Sequence, residues 1–249
     1  MNTGVRYSRI FALLLSFACI HVELREQLYR LEEEIENACM SGGRTRSDIK
    51  LLAISKTHSS DVVEEAFSLG LRDFGENRVQ ELIKKRDLLS TSIKWHLVGH
   101  LQSNKAKYIA PFIHLVHSID SLETAIELSN RAVQNDRAID VLIEVNIAKE
   151  PSKHGVMAHE AERLLEGILR DAPNLHPKGL MTVAPFEDSP EHTRPYFRAL
   201  RKLRDDLAKK HNHLTFRELS MGMTNDFDVA IEEGATIIRI GSGLFGERE

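Results

Sequence analysis

From Val22 onward, the hydrophobic positions of the chain follow two alternating periods. Short apolar runs, typical of buried strands, are followed by longer stretches in which apolar residues recur every three or four positions, typical of helices packed on a core. The pattern predicts eight strands, at Lys50–Ser55, Asp73–Phe74, Lys94–Val98, Leu115–Ser118, Ile139–Asn146, Lys178–Val183, Glu218–Met221 and Thr236–Ile240. The helices predicted between them include Ser121–Asn135, Ala158–Arg170 and Pro190–Lys210.

An amphipathic helix precedes the first strand, because apolar residues recur at helical spacing from Leu24 to Ala38 and Gly42 and Gly43 then provide a stop. Eight strands, each followed by a helix or by the chain end, fit a closed parallel barrel better than an open sheet. An open Rossmann-type sheet is the alternative, but no G-x-G-x-x-G motif follows the first strand. We predict an α/β fold: a single (β/α)8 TIM-type barrel over residues 21–249 with an extra N-terminal helix.

Residues 1–20 differ from the rest of the chain. Arg6 and Arg9 precede an apolar run from Ile10 to Ile20, which has the outline of a short signal peptide. The run is shorter than the ~20 apolar residues that a transmembrane helix needs. We interpret this segment as an N-terminal extension that arises from an upstream start codon or acts as a signal, and we expect the barrel to fold without it.

Composition narrows the classes of partner. The net charge is −4, and Lys and Arg are interleaved with Asp and Glu, which disfavours a nucleic-acid surface. The two cysteines, Cys19 and Cys39, cannot form a disulfide framework, and no Cys/His group has zinc spacing. His96 and His100 bracket an apolar run that is predicted to be a strand, where residues four apart are too distant to share a metal. We expect a cytoplasmic protein with no metal centre and with neither nucleic acid nor membrane as a partner.

Lys56 is the most informative candidate for chemistry. In a (β/α)8 barrel, the functional residues come from the C-terminal ends of the strands, and Lys56 directly follows the first strand. Partial desolvation there lowers the pKa of a lysine from about 10.4 and exposes a nucleophilic amine that can form a Schiff base. The alternative is a lysine that only covers apolar surface at the barrel rim.

Two glycine-containing loops suggest a phosphate site. Gly222–Thr224 follow the seventh strand and Gly241–Gly243 follow the eighth, and barrel phosphate sites are frequently built from these two loops. Small residues let backbone N–H groups approach a phosphate, and the Ser242 hydroxyl is a further donor. Thr224 or Asn225 is the predicted N-cap of the following helix. The alternative is that the glycines only make turns.

Arg239 lies on the last strand, next to these loops. A permanently charged guanidinium beside a pyridine nitrogen would disfavour its protonation, which makes the ring a poor electron sink. The alternative is an ion pair with Glu232 or Glu233. A lysine, a phosphate cradle and a ring-facing arginine together outline a site for pyridoxal 5′-phosphate (PLP), the vitamin B6 cofactor.

Seven blocks of the sequence resemble, in order, the motifs of the PLP homeostasis protein family. They are AISKT (53–57), DFGENRVQE (73–81), KWHLVGHLQSNK (94–105), EVNIAKEPSKHG (144–155), KGLMTV (178–183), LSMGMTNDFDVAIEEGAT (219–236) and IRIGSGLFGER (238–248). Two positions depart from the family pattern, Thr224 where the family commonly has Ser and Ser242 where it often has Thr, but both keep the hydroxyl.

The resemblance implies a barrel similar to the PLP domain of bacterial alanine racemase. It makes Lys56 the Schiff-base lysine and places Arg239 at the pyridine nitrogen. The other residues implied to bind the cofactor are Thr224, Gly241 and Ser242 at the phosphate, Asn77 and Met181 beside the cofactor, and Ser220 and Met223 near its phosphate end. The role of the segment Gln102–Lys105 stays open, and we expect Lys153 to be solvated.

Three functions compete: a non-enzymatic PLP carrier, a PLP-dependent amino-acid racemase and a Schiff-base aldolase. Racemisation needs acid–base groups on both faces of the substrate, and Lys56 serves only one. No tyrosine stands at the end of a strand, and the eight residues after Gly241 leave no room for a second domain. An aldolase would have its lysine on a later strand, beside paired carboxylates, whereas only Glu76 is expected near Lys56. We therefore predict a monomeric PLP carrier without substantial turnover, with apo forms of PLP-dependent enzymes as recipients.

Overall fold

The structure, a computed structural model, describes the backbone of residues 4–246 and the side chains of residues 23–246. Eight parallel strands close into a barrel in which each strand pairs with its neighbours in sequence and β8 pairs with β1. A helix follows every strand, so the predicted (β/α)8 barrel is confirmed. The strands are β1 (Lys50–Ile54), β2 (Asp73–Glu76), β3 (Lys94–Leu97), β4 (Leu115–Ile119), β5 (Ile139–Glu144), β6 (Leu175–Met181), β7 (Glu218–Ser220) and β8 (Ile237–Ile240).

The extra N-terminal helix is also confirmed. The helices in the described part of the chain are α1 (Gly4–Ser41), α2 (Ser60–Ser68), α3 (Val79–Leu88), α4 (Ala106–Ile109), α5 (Leu122–Gln134), α6 (Ala161–Asp171), α7 (Arg194–Lys210), α8 (Phe227–Glu232) and α9 (Ser242–Phe245). Leu31, Ile35 and Ala38 lie on the buried apolar face of α1, which packs against α8 and α9 on the outside of the barrel.

The side chains of the predicted extension, residues 1–20, lie outside the described residues. Within those residues, none of the helices combines the length and the apolar character that crossing a bilayer requires.

Two layers of apolar side chains support the barrel. The larger layer fills the space between the strands and the surrounding helices. The smaller one is a separate cluster that includes Leu52, Leu142 and Ile237, from strands spread around the barrel, which places it in the barrel interior. Because both faces of most strands are buried, the strands read as nearly continuous apolar runs rather than as alternating ones.

Three strands, β2, β5 and β6, differ from the prediction by two residues or more at a boundary, and the other five differ by one residue. β2 continues through Gly75 and Glu76, whose small and charged side chains concealed a buried strand that pairs with β3. β6 begins at Leu175, ahead of Pro177, and the pairing register with β5 shifts beside this proline. A proline has no N–H to donate to a strand ladder, so the sequence favoured a later start. β5 ends at Glu144, two positions before its predicted end at Asn146.

Candidate active site at the C-terminal ends of the strands

A cavity of about 900 Å³ opens at the barrel mouth, where the loops after the strands meet. Seven of the nine predicted site residues line it: Lys56, Asn77, Met223, Thr224, Arg239, Gly241 and Ser242. The other two, Met181 and Ser220, lie in β6 and β7 and are almost completely buried. Met181 belongs to the apolar cluster inside the barrel, and Ser220 hydrogen-bonds to Arg239. The structure therefore brings seven residues to the cavity and places two behind its wall.

Lys56 is half-buried on the turn that follows β1. A buried group of polar side chains supports the residue before it. The Lys85 ammonium donates to the backbone carbonyl of Ser55 and to the Glu76 carboxylate, both at 2.6 Å. The Ser55 hydroxyl donates to the same Glu76 oxygen at 2.7 Å. Burial raises the pKa of Glu76, and the bonds from Lys85 and Ser55 oppose that shift.

The residue after Lys56 is held by the same group. The backbone N–H of Thr57 donates to the Glu81 carboxylate at 2.5 Å, and Glu81 also pairs with Lys85 at 3.0 Å. Thr57 has φ of 70°, a left-handed conformation that is uncommon for a β-branched residue. We call Ser55, Glu76, Glu81 and Lys85 the Lys85 cluster. This cluster fixes the backbone on both sides of Lys56.

The loops after β7 and β8 interlock beside Lys56. The Thr224 hydroxyl accepts the backbone N–H of Gly243 at 3.2 Å, and the Ser242 hydroxyl lies 3.4 Å away. A Cβ atom on Gly243 would come within 2.8 Å of the Thr224 side chain, so only glycine allows this approach. Gly222 has φ of 89°, and a Cβ atom there would lie 2.6 Å from Ala230.

The predicted N-cap of the helix after β7 was wrong. The residue that precedes α8 is Asp226 rather than Thr224 or Asn225. The Asp226 carboxylate accepts the backbone N–H of Met223 at 2.6 Å and closes a tight turn over residues 223–226. Thr224 instead links the two loops, which a local capping rule cannot anticipate because its partner is 19 residues away in sequence.

Arg239 points from β8 to the cavity, and its side chain is otherwise buried. Its guanidinium donates to the Ser220 hydroxyl at 2.9 Å and to the Thr182 carbonyl at 2.8 Å. The alternative of an ion pair with Glu232 or Glu233 is wrong, because these carboxylates pair with arginines of α7. Burial lowers the pKa of Arg239 to about 10, which leaves it charged at neutral pH.

The sequence interpretation missed part of the cavity wall. The loop after β6 contributes Val183, Ala184 and the exposed Phe186. Lys153 was expected to be solvated, but it lines the cavity, where it donates to the Ala184 carbonyl at 3.0 Å and pairs with Glu150 at 2.6 Å. No spacing in the sequence signals a contact between these two loops, which meet only because β5 and β6 are neighbours in the barrel.

His96 within β3 and His100 after it belong to different side-chain groups. His96 Nε2 lies 3.0 Å from Asp73, and His100 Nδ1 lies 3.1 Å from Asp120. The separation of His96 from His100 agrees with the strand geometry used in the prediction. Each histidine has two neighbours with metal-ligating atoms, Asp73 and His114 for His96, Asp120 and His154 for His100. The expected absence of a metal centre stays a prediction.

A family described as the N-terminal domain of alanine racemase matches residues 36–249. The match agrees with the closed barrel and covers both the Lys85 cluster and the loops after β7 and β8. The fold and the position of the cavity therefore define the chain as a barrel protein of the alanine racemase N-terminal class.

Similar curated relatives within this class are named pyridoxal phosphate homeostasis proteins. One from Aquifex aeolicus is 47% identical over 225 residues, 90% of this chain and 98% of the relative. One from Vibrio cholerae is 38% identical over 233 residues, 91% of this chain and 97% of the relative. The solved structure of PipY from Synechococcus elongatus with PLP bound has a TM-score of 0.78 at 32% identity and covers 90% of this chain and 100% of that one. The chain belongs to the pyridoxal phosphate homeostasis protein family, as its sequence blocks predicted.

Proposed function

We propose that this protein binds PLP at the barrel mouth as a Schiff base with Lys56 and serves as a PLP carrier in cofactor homeostasis rather than as an enzyme. The observation that carries the proposal is one cavity that combines Lys56, the loops after β7 and β8, and the buried cation Arg239. The relatives named above, one of which has PLP bound, support it. A cytoplasmic location, a monomeric state and apo-enzymes as recipients are further parts of the proposal.

The donors at the mouth fit the chemical groups of PLP. The loops at residues 222–224 and 241–243 offer backbone N–H groups and two hydroxyls to a phosphate, and a larger side chain at Gly222 or Gly243 would clash. β8 pairs directly with β1, so the phosphate loop after β8 lies next to the strand that carries Lys56. When bound, PLP would supply an electrophilic aldehyde and an electron-accepting ring.

Arg239 favours a carrier over an enzyme. Its two hydrogen-bond acceptors are neutral, so its full charge would face the pyridine nitrogen and disfavour ring protonation. An unprotonated ring stabilises a substrate carbanion poorly. Of the tyrosines whose side chains are described, none lines the cavity, which leaves a racemase without the opposing tyrosine expected for that chemistry.

Borohydride reduction of the PLP-loaded protein tests the proposal. Peptide mass mapping should find the pyridoxyl group on Lys56, and Lys56→Ala should lose the visible absorbance of the Schiff base. Lys153→Ala is the matched control, because Lys153 is the other lysine that lines the cavity among the described residues. It should keep the label on Lys56. A label on Lys153 alone would contradict the assignment.

The same preparation distinguishes a carrier from a racemase. Mixed with an apo-enzyme, the loaded protein should restore that enzyme's activity. With D- or L-alanine, chiral chromatography should detect no interconversion above that given by free PLP. Turnover on the order of 1 per second, typical of ordinary enzymes, would favour the racemase instead.

A further inference from the structure

A line of hydrogen bonds runs through the barrel interior from Arg239 to the opposite end. The Arg239 guanidinium contacts the Ser220 hydroxyl at 2.9 Å, and that hydroxyl lies 2.9 Å from His117 Nδ1. His117 Nε2 lies 2.9 Å from His96 Nδ1, and His96 Nε2 lies 3.0 Å from Asp73. Ser220, His117 and His96 are completely buried. The line joins β8, β7, β4, β3 and β2.

With both histidines neutral, the Asp73 carboxylate fixes the direction of every bond between it and Ser220. An arginine can only donate, and an ionised carboxylate can only accept. Ser220 therefore accepts from Arg239 and donates to His117, His117 donates from Nε2 to His96, and His96 donates from Nε2 to Asp73. The reverse direction would place a nitrogen lone pair of His96 against the Asp73 carboxylate.

Both histidines must be neutral for this arrangement, since each accepts one hydrogen bond and donates one. Their burial agrees with that requirement, because it lowers the pKa of His96 to about 4 and holds the pKa of His117 well below its ordinary value. Every ring nitrogen of the line then has a partner, as buried polar groups require.

We propose that Ser220, His117, His96 and Asp73 act as positioning residues, a one-directional hydrogen-bond relay that orients Arg239 toward the bound cofactor without neutralising its charge. This inference rests on the proposed PLP site. A carboxylate in direct contact would orient a guanidinium equally well, but it would cancel the charge that faces the ring nitrogen. Here a neutral hydroxyl makes the contact, and the compensating carboxylate lies three hydrogen-bonded groups away.

Carboxyl groups near Arg239 do not take the place of Ser220 as hydrogen-bond partners of its guanidinium. Glu144 and Asp226 stabilise the charge of Arg239 electrostatically, but the hydrogen bonds of the guanidinium go to Ser220 and Thr182. Asp226 is engaged by the backbone of Met223. Ser220, which the family resemblance places near the phosphate end of the cofactor, is assigned by its contacts to Arg239 instead.

A double-mutant cycle between His117 and Arg239 tests the relay, with PLP carrying ¹⁵N in its ring as the probe. His117→Leu should weaken PLP binding about tenfold, because Arg239 loses its fixed orientation. It should also move the ¹⁵N resonance toward the value of the protonated ring. In the Arg239→Met background, His117→Leu should change the affinity less than about twofold, since relay and arginine act as one unit.

His114→Leu is the matched control, because the His114 ring lies 5.2 Å from that of His96 but outside the relay. It should leave the PLP affinity and the ¹⁵N resonance unchanged. If His117→Leu does not fold, Asp73→Asn at the far end should shift the resonance in the same direction by a smaller amount. An unchanged resonance, or an equal loss of affinity in both Arg239 backgrounds, would overturn the relay. A wild-type protein that binds no PLP would instead refute the proposed function.

Discussion

Lys56 and Arg239 come from neighbouring strands and line the same cavity, but the buried groups that support them differ in kind. The Lys85 cluster beside Lys56 consists mainly of charged groups and holds the backbone at Ser55 and Thr57. The relay below Arg239 consists mainly of neutral groups and holds the guanidinium itself. Lys56 has its main chain fixed, and Arg239 has its side chain fixed.

This difference matches the two tasks in the proposed function. A lysine that forms and releases a Schiff base needs a rigid base for its backbone and a side chain that can change partners. An arginine that only presents charge needs a rigid side chain. Removing one member of the charged cluster should cost more stability than removing one member of the relay, because a buried ion left without its partner costs more than a lost neutral hydrogen bond.

The largest expected effect is a loss of stability when the Lys85 cluster is broken. Lys85→Met leaves the buried Glu76 carboxylate without its cation and should lower the free energy of unfolding by about 3–5 kcal/mol. Lys84→Met, at the exposed neighbouring position, is the control and should change it by less than about 0.5 kcal/mol. Urea denaturation measures both. Similar values for the two variants would mean that the cluster does not anchor the Lys56 segment.

The second-largest expected effect is on the pH dependence of stability, through Glu144, a buried carboxyl group that interacts with Arg239. Burial raises the pKa of Glu144 to about 7, with Asp120 adding to the shift and Arg239 opposing it. Because the folded pKa lies above the unfolded value of 4.5, Glu144 contributes stability at low pH, and that stability is lost as the pH rises through about 7. Glu144→Gln cannot ionise and should remove this loss of stability. The size of the loss follows from the pKa shift, because each pKa unit corresponds to about 1.4 kcal/mol.

Urea denaturation at pH 5 and pH 8 measures the Glu144 contribution. The variant should exceed the wild type by less than about 1 kcal/mol at pH 5, just above the unfolded pKa of 4.5, and by about 1–3 kcal/mol at pH 8. The comparison between the two proteins is needed because His96, with its pKa lowered to about 4, has the opposite slope and adds stability as the pH rises from about 4 to 6.5. A pH-independent difference would show that Glu144 is ionised throughout.

The smallest effect compares two buried serines directly. Ser55→Ala removes one bond to Glu76, which keeps its bond to Lys85, so the loss should be about 1 kcal/mol. Ser220→Ala removes the hydroxyl partner of one Arg239 nitrogen and of His117 Nδ1, although Arg239 keeps its bond to Thr182 and His117 its bond to His96, and it should cost about 1 kcal/mol more. Of the two, only Ser220→Ala should weaken PLP binding. Equal losses of stability and affinity would remove the distinction between the two networks.

The local pattern of apolar and polar residues was sufficient to predict helices and strands whose buried residues recur at a regular spacing. α5 lies within the predicted Ser121–Asn135, with the Ser121 side chain as its cap. Strand starts such as Lys50 and Lys94 were correct because an abrupt change from polar to apolar residues marks them. The end of β2 was not predictable, because Gly75 and Glu76 are buried by tertiary packing and by the Lys85 cluster rather than by their own polarity.

The sequence by itself determined the barrel, the place of Lys56 after β1 and the two glycine-containing loops, because these depend on residues close together in the chain. Only the tertiary structure decided which groups support Lys56 and Arg239. Asp73, His96, His117 and Ser220 meet because the barrel closes and turns particular interior positions toward one another. The spacing of apolar residues along the chain predicts that a residue is buried. It does not predict which distant residue will be its hydrogen-bond partner.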